Sequence, residues 1–180
     1  MKALLDTCVI YPTVMREVLL GVAAQGAYTP LWSDRILEEW ARAARKLGPD
    51  GEAQARAEIA QVSAAFPSAA VTWRPSLEAR LWLPDANDIH VLAAAVAGSA
   101  DIIVTLNAKD FPRQVLAEDG LSRVDPDGFL LEAWHADAVM VGSVCQRVLD
   151  TARRVSGDDW QMRALLKKAR LPRLAKAVSV

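Results

Sequence analysis

Short apolar runs that end in polar residues recur along the chain and predict β-strands. The clearest run is Ile102-Ile103-Val104, a buried-strand pattern inside the segment Asp101–Leu106. Lys2–Asp6 predicts another short buried strand, with Asp6 at its carboxyl end. Three further segments complete the predicted set, namely Tyr28–Trp32 as a brief extended piece, Ala69–Trp73 as a main strand and Leu121–Val124 as the last strand.

The segments between these strands carry apolar residues at helical spacing. We predict one helix that begins after Pro12 and a second that begins at the N-cap Ser33 and ends near Gly48. Further helices are predicted over Glu52–Phe66 and Ile89–Ala97. Strands that alternate with helices pair in parallel, and their sheet is covered by helices on both faces.

Beyond Pro126 the pattern changes, because only helical spacing remains. Leu130–Trp134, Ala138–Val155 and Asp158–Ala169 are each predicted to be helical. The expected fold class is therefore α/β, a three-layer α/β/α domain around a central parallel sheet with a C-terminal helical appendage. We place the domain at residues 1–125 and the helical extension at residues 126–180.

Charge is unevenly distributed, although the net charge is only −1. Residues 1–142 carry 12 Lys/Arg against 19 Asp/Glu, whereas residues 143–180 carry 9 Lys/Arg against 3 Asp/Glu. A basic tail on an acidic body suggests self-docking or a surface for a polyanion, and a solvated helical face explains it equally well. Cys8 and Cys145 indicate buried thiols in a reducing compartment, and the start Met1–Asp6, which reaches a charge at Asp6, disfavours a signal peptide. We expect a cytoplasmic protein that lacks a membrane span.

Carboxylate side chains occur at the ends of predicted strands and helices in four stretches, and an α/β fold can bring these side chains together. Asp6 and the stretch Thr105–Asp110 follow strands, and Asp88 begins a helix whose start faces the same sheet edge. Glu39 lies about one turn inside a helix, where Glu38 is an equally good candidate by charge alone. Clustered carboxylates repel one another unless a cation lies between them, and hard oxygen ligands suit Mg²⁺ or Mn²⁺. Each acid also has an ordinary structural explanation as a cap, a turn former or a surface residue.

The ordered set of motifs resembles the PIN-domain nucleases, in particular the bacterial branch related to VapC toxins. The motifs are Leu4-Leu5-Asp6-Thr7, Ile36-Leu37-Glu38-Glu39-Trp40, the segment from Asp85 to Ala95, and the segment from Ile103 to Pro112. The resemblance covers roughly residues 2–125 and implies a PIN-like α/β/α fold. The helical tail also resembles an extension found on some VapC-like toxins.

By this resemblance Asp6, Glu39 and Asp88 are the first three acidic catalytic residues and metal ligands. Where the family has a fourth acid this chain has Asn107, so either Asn107 or Asp110 completes the metal site. Asp85 is a further candidate, which we expect to lie outside the ligands themselves. Thr7 and Thr105 are candidates to orient the ligands by hydrogen bonds, although a threonine at a strand end more often has a structural role.

The implied activity is that of a Mg²⁺- or Mn²⁺-dependent endoribonuclease in which water attacks directly, leaving a 5′-phosphate and a 3′-hydroxyl. The implied partners are an RNA substrate and a cognate antitoxin, and PIN domains often form homodimers. Flanking RNA needs cations, for which we select Arg35, Arg42 and the Lys/Arg residues of 147–176.

Two other functions are compatible with the residues. Asn107 in place of an acid favours a catalytically weak PIN-like module that binds RNA or a protein. A phosphohydrolase with Asp6 as nucleophile is a third reading, which the lack of a second Asp two residues later disfavours.

Overall fold

The computed structural model describes residues 1–179 and shows a parallel four-stranded sheet. The strands are β1 (Lys2–Leu5), β2 (Thr29–Leu31), β3 (Ile102–Val104) and β4 (Ser122–Val124). Their order across the sheet is β2-β1-β3-β4, and every neighbouring pair is parallel. The prediction of a PIN-like α/β/α fold with a central parallel sheet is confirmed.

Pairing at the centre of the sheet joins residues that are about a hundred positions apart. Leu5 lies opposite Val104 in the β1–β3 pair, so both strands end at the same level. The Asp6 backbone N–H donates to the Val104 carbonyl at 3.2 Å and extends this register by one step. Residues that follow β1 and β3 therefore emerge side by side at the carboxyl edge of the sheet.

Contacts divide the described chain into two compact units. The first unit comprises Met1–Tyr11 and Thr29–Val124, and it contains the whole sheet. Its helices are α1 (Thr7–Ile10), α3 (Asp34–Ala43), α4 (Gly51–Ala65), α5 (Pro75–Glu78), α6 (Ile89–Ala97) and α7 (Arg113–Glu118), with 3₁₀ turns at Ala44–Leu47 and Ala86–Asp88. Within this unit α6 packs against β1, and α3 packs against both α1 and α4.

The second unit is helical and combines Pro12–Tyr28 with the chain from Asp125 onward. Its helices are α2 (Thr13–Ala24), α8 (Pro126–Ala136), α9 (Ala138–Ser156), α10 (Met162–Lys168) and α11 (Pro172–Val178). Helix α2 packs against α9, and α8 packs against both α9 and α11. The division into a nuclease domain at residues 1–125 and a helical extension at residues 126–180 concerns function and stays a prediction.

The predicted strand at Ala69–Trp73 is wrong. The segment makes a single parallel bridge between Ala70 and Trp32, in which the Val71 N–H donates to the Trp32 carbonyl at 2.8 Å. The ladder cannot continue because Ser33, the next residue of the neighbouring strand, already caps α3 by accepting from the Ile36 N–H at 3.2 Å. β-Branched and aromatic composition favours a strand, but a partner of sufficient length is also required.

The described helices between residues 1 and 179 do not include one with both the length and the hydrophobicity that crossing a bilayer requires.

Candidate metal centre

Asp6 begins the site at the carboxyl end of β1, where it is buried. Its Oδ2 atom accepts a hydrogen bond from the Thr105 hydroxyl at 2.7 Å and one from the Cys8 thiol at 3.2 Å. Burial, together with the charge of Asp6, raises the pKa of Cys8 to about 12, so its sulfur keeps the proton at neutral pH. The Cys8 sulfur also accepts from the Leu106 N–H at 3.2 Å. The ends of β1 and β3 are thus joined through side chains as well as through the sheet.

Glu39 lies on α3 and is held by donors from two other segments of the same unit. The Thr7 hydroxyl donates to Glu39 Oε2 at 2.8 Å, and His90 Nε2 lies 2.9 Å from Oε1. Burial alone would raise the pKa of Glu39, but the hydrogen bonds from His90 and Thr7 outweigh it and lower the pKa. Glu39 is therefore an ionised carboxylate at neutral pH.

The neighbouring Glu38 occupies a different environment on the same helix. Arg56 donates to both of its carboxylate oxygens, at 2.9 and 3.1 Å, and Arg42 donates at 3.0 Å. These guanidinium groups lower the pKa of Glu38 to about 2. Of these two glutamates, which charge alone does not distinguish, Glu39 is the one that contacts Thr7 and His90 in the part of the chain that the structure describes.

Asp88 ends the 3₁₀ turn that precedes α6 and lies within a group of carboxylates. Asp85, Asp88 and Asp110 can each place one oxygen so that all three atoms lie within 4.8 Å of one another. Asn107 joins this group, because its Nδ2 atom donates to Asp88 Oδ2 at 3.1 Å. The amide of Asn107 therefore faces the predicted metal ligand Asp88, while Asp110 supplies a carboxylate beside it.

Burial and the neighbouring carboxylates raise the proton affinity of Asp88. Burial and the negative charges of Asp6, Asp85 and Asp110 raise its pKa to about 6. Like charges that raise a carboxyl pKa in this way are relieved when a cation binds between them.

The donor set fits a divalent metal ion of the hard class. Mg²⁺ or Mn²⁺ would bind the carboxylate oxygens of Asp85, Asp88 and Asp110, and it would offset the repulsion at Asp88 to which Asp6 also contributes. Thr105 also accepts from the Asn107 N–H at 3.0 Å, which ties the loop after β3 to the residue that orients Asp6. Asp85 lies inside the acidic group and also accepts from the Asn87 N–H at 2.9 Å.

Two residues outside the predicted set contact these carboxylates. Cys8 is predicted only as a buried thiol and His90 is not among the predicted site residues, yet the first contacts Asp6 and the second contacts Glu39. The available signal was position, since Cys8 is two residues after Asp6 and His90 is two residues after Asp88. In short helical turns this spacing does not by itself place a side chain beside a neighbouring carboxylate.

Of the cations selected for RNA, Arg35 lies next to the site. Its Nε atom is 3.5 Å from Glu39 Oε1, and its Nη1 atom is 4.0 Å from Glu78. Arg42 pairs with Glu38 on the adjacent side of α3. Residues 147–176 belong to the second unit.

Comparisons with known proteins indicate the family of this chain. A segment of 45 residues is 49% identical to the Mycobacterium tuberculosis protein named "Putative ribonuclease VapC50". This segment covers 25% of the chain and 27% of that relative, so the chain spans about a quarter of the length of the curated relative that it matches. No solved structure matches the chain. A model of the family described as PIN domain matches residues 2–109, which is more than half of the chain, and the protein therefore belongs to the PIN-domain family.

Proposed function

We propose that this protein is a Mg²⁺- or Mn²⁺-dependent endoribonuclease that hydrolyses RNA phosphodiester bonds and serves as the toxin of a toxin–antitoxin pair. The observation that carries the proposal is the group of Asp85, Asp88 and Asp110, whose carboxylate oxygens can lie within 4.8 Å of one another, with Asn107 in contact with Asp88. Membership of the PIN-domain family and the local similarity to a protein named as a ribonuclease support the same chemistry.

In this proposal the acidic side chains of the first unit hold the ion. Asp6, Glu39, Asp88 and Asp110 are the catalytic carboxylates, and Asn107 adds an amide oxygen or orients Asp88. Thr7 and Thr105 orient these ligands, as their hydrogen bonds to Glu39 and Asp6 support. Asp85, which lies in the acidic group with Asp88 and Asp110, adds negative charge beside the ligands. A bound divalent ion would polarise the scissile phosphate and the attacking water and offset charge on the leaving oxygen.

The proposed reaction is the hydrolysis of one phosphodiester bond by water. The water oxygen forms a bond to phosphorus while the bond from phosphorus to the 3′-oxygen breaks. The 3′-oxygen takes up a proton, and the released strand carries a 5′-phosphate. Because the attacking group is water, none of the carboxylates forms a covalent bond to the substrate.

RNA and an antitoxin are the proposed partners in the cytoplasm, and a homodimer is compatible with the family. An acidic pocket repels a polyanion, so cations must hold the RNA on either side of the scissile bond. Arg35 is the best placed candidate because it already contacts Glu39. The basic residues of 147–176 supply a second group of candidates in the helical unit.

Nuclease activity is tested with single substitutions, and Glu38→Gln on α3 is the matched control for Glu39→Gln. Each of the variants Glu39→Gln, Asp6→Asn and Asp88→Asn should lower the rate of Mn²⁺-dependent cleavage of end-labelled RNA at least about a hundredfold. Glu38→Gln changes an adjacent carboxylate whose contacts are two arginines, and it should cleave like the wild type. The product ends should be a 5′-phosphate and a 3′-hydroxyl.

Two results would contradict the nuclease proposal. One is equal cleavage by wild-type protein and the Asp6 and Asp88 variants, which would identify a contaminating nuclease. The other is tight RNA binding by wild-type protein without cleavage at any Mg²⁺ or Mn²⁺ concentration, which would indicate the binding module instead.

The toxin role needs its own experiment. Induced expression of the wild-type chain should arrest bacterial growth, and expression of Asp6→Asn should not. Co-expression with the product of a small neighbouring gene should restore growth and allow the two chains to be purified together. Equal growth with both chains would contradict the toxin role without affecting the nuclease proposal.

A further inference from the structure

His90 is a buried histidine that the proposed chemistry does not require as a ligand. Its side chain is 1% exposed, and its Nε2 atom lies 2.9 Å from Glu39 Oε1. A carboxylate oxygen only accepts hydrogen bonds, so Nε2 carries the proton and donates it. Among residues 1–179, no hydrogen-bond partner contacts the other ring nitrogen, Nδ1. The contact with Glu39 is therefore the polar interaction that explains a histidine at this position.

Because His90 is buried, the presence of a histidine at this position indicates a role beyond packing. An unpartnered ring nitrogen in the interior costs free energy that an apolar side chain of similar volume would not cost. The fold alone would thus be better served by leucine in the first turn of α6. What leucine could not provide is a donor directed at Glu39.

Glu39 needs such a donor because its own side chain is long and partly exposed. Its side chain is 37% exposed and has three rotatable bonds, so several conformations are open to it in isolation. His90 on Oε1 and Thr7 on Oε2 together engage both carboxylate oxygens, at 2.9 and 2.8 Å. Donors from α1 and α6 thereby fix a carboxylate that belongs to α3.

The same short segment also carries Asp88. His90 follows Asp88 by two residues, at the junction between the 3₁₀ turn Ala86–Asp88 and α6. A contact from His90 to Glu39 therefore sets the distance between two carboxylates that lie on separate elements. Donors that hold metal-binding side chains in this way are known to contribute strongly to affinity in metalloproteins generally.

We propose that His90 is a positioning residue that holds Glu39 in the conformation required for metal binding. The proposal rests on the function proposed above, because it assigns a role toward the ion that Glu39 is proposed to bind. His90 acts through Glu39 and does not contact the substrate.

The test compares three substitutions by Mn²⁺ affinity, measured by calorimetry on metal-free protein. His90→Leu removes the donor and should weaken Mn²⁺ binding about 10- to 100-fold. His90→Gln places an amide N–H near the position of Nε2 and should restore most of that affinity. His135→Leu makes the same chemical change at an exposed histidine of α8 and should bind like the wild type.

Kinetics and folding provide readouts that distinguish positioning from a structural role. In His90→Leu the thermal midpoint of the metal-free protein should not fall, the KM for RNA should stay unchanged, and excess Mn²⁺ should recover most of kcat. Glu39→Gln, which removes the proposed ligand itself, should not recover. If His90→Leu fails to fold, His90→Asn, whose amide stops short of the Nε2 position, replaces it in the comparison with His90→Gln.

The outcomes separate the two proposals. Wild-type protein that binds Mn²⁺ and cleaves RNA, with unchanged Mn²⁺ affinity in His90→Leu or His90→Asn, would overturn the positioning role and leave the nuclease proposal standing. Wild-type protein that neither binds Mn²⁺ nor cleaves RNA would overturn the nuclease proposal and, with it, the role of His90.

Discussion

The Thr105 hydroxyl donates a 2.7 Å hydrogen bond to Asp6 Oδ2, and this contact joins residues 99 positions apart in the chain. Both residues follow central strands of the parallel sheet, where the β1–β3 register brings the two strand ends level. The same hydroxyl accepts from the Asn107 N–H at 3.0 Å. One buried side chain therefore connects the first proposed metal ligand to the loop that carries Asn107.

Replacing Thr105 tests this connection. Thr105→Val keeps the shape, leaves Asp6 Oδ2 with the Cys8 thiol but without the Thr105 donor, and removes the acceptor of the Asn107 N–H. It should lower the free energy of unfolding by about 1 to 3 kcal/mol in urea titrations. RNA cleavage should fall with it. Thr105→Ser keeps the hydroxyl and removes one methyl group, which costs about 1 kcal/mol. Serine should retain cleavage, and loss of activity in both variants alike would show that packing, not the hydrogen bond, matters.

The pKa of Asp88 predicts how stability depends on pH in the absence of metal. Its pKa is raised to about 6, so between its ordinary range and pH 6 the folded protein holds a proton that the unfolded chain releases. The contribution to stability is therefore present at low pH and is lost as the pH rises through 6. Thermal unfolding in EDTA should show a larger drop in midpoint between pH 5 and pH 7 for wild type than for Asp88→Asn. Asp158→Asn, at an exposed carboxylate of the helical unit, should retain the wild-type drop.

Divalent ions should reverse that loss. Mg²⁺ or Mn²⁺ binds the deprotonated carboxylates, so it should stabilise the protein more at pH 7 than at pH 5. At an ion concentration ten times its Kd the gain should be about 1.4 kcal/mol. Scanning calorimetry with and without the ion measures it, and Asp88→Asn should show a much smaller gain. An equal gain in that variant would place the ion elsewhere.

Asp127 forms hydrogen bonds to the start of α11, the last helix of the helical unit. Its buried carboxylate accepts from the N–H groups of Arg173 and Leu174, at 2.9 and 3.0 Å, and from the Arg173 side chain at 3.1 Å. Asp127→Ala leaves these donors unpaired and should lower the free energy of unfolding by about 2 to 3 kcal/mol. Limited proteolysis should then cut near α11 sooner than in wild type. Glu132→Ala, at a side chain of α8 that is 81% exposed, should change stability by less than about 0.5 kcal/mol and cleave at the wild-type rate.

Much of the site was accessible from local pattern. Apolar runs predict the paired strands, and the N-cap residue Ser33 predicts the start of α3. Acidic residues at the ends of predicted elements indicate Asp6 and Asp88 as candidates. These signals are local because strand alternation, helix spacing and capping act over a few residues. Ala69–Trp73 shows the limit of such signals, since its composition favours a strand but its neighbour Trp32 offers only one pairing position.

The sequence by itself determined the fold class, the order of the elements and the group of acids, because these follow from short-range chemistry along the chain. Only the tertiary structure decided which acids share an environment. Glu38 and Glu39 have the same charge and adjacent positions, yet Arg42 and Arg56 engage the first while Thr7 and His90 engage the second. The Glu38–Arg42 pair is an i,i+4 contact within α3, but Arg56, Thr7 and His90 belong to other elements, and no local pattern encodes their contacts.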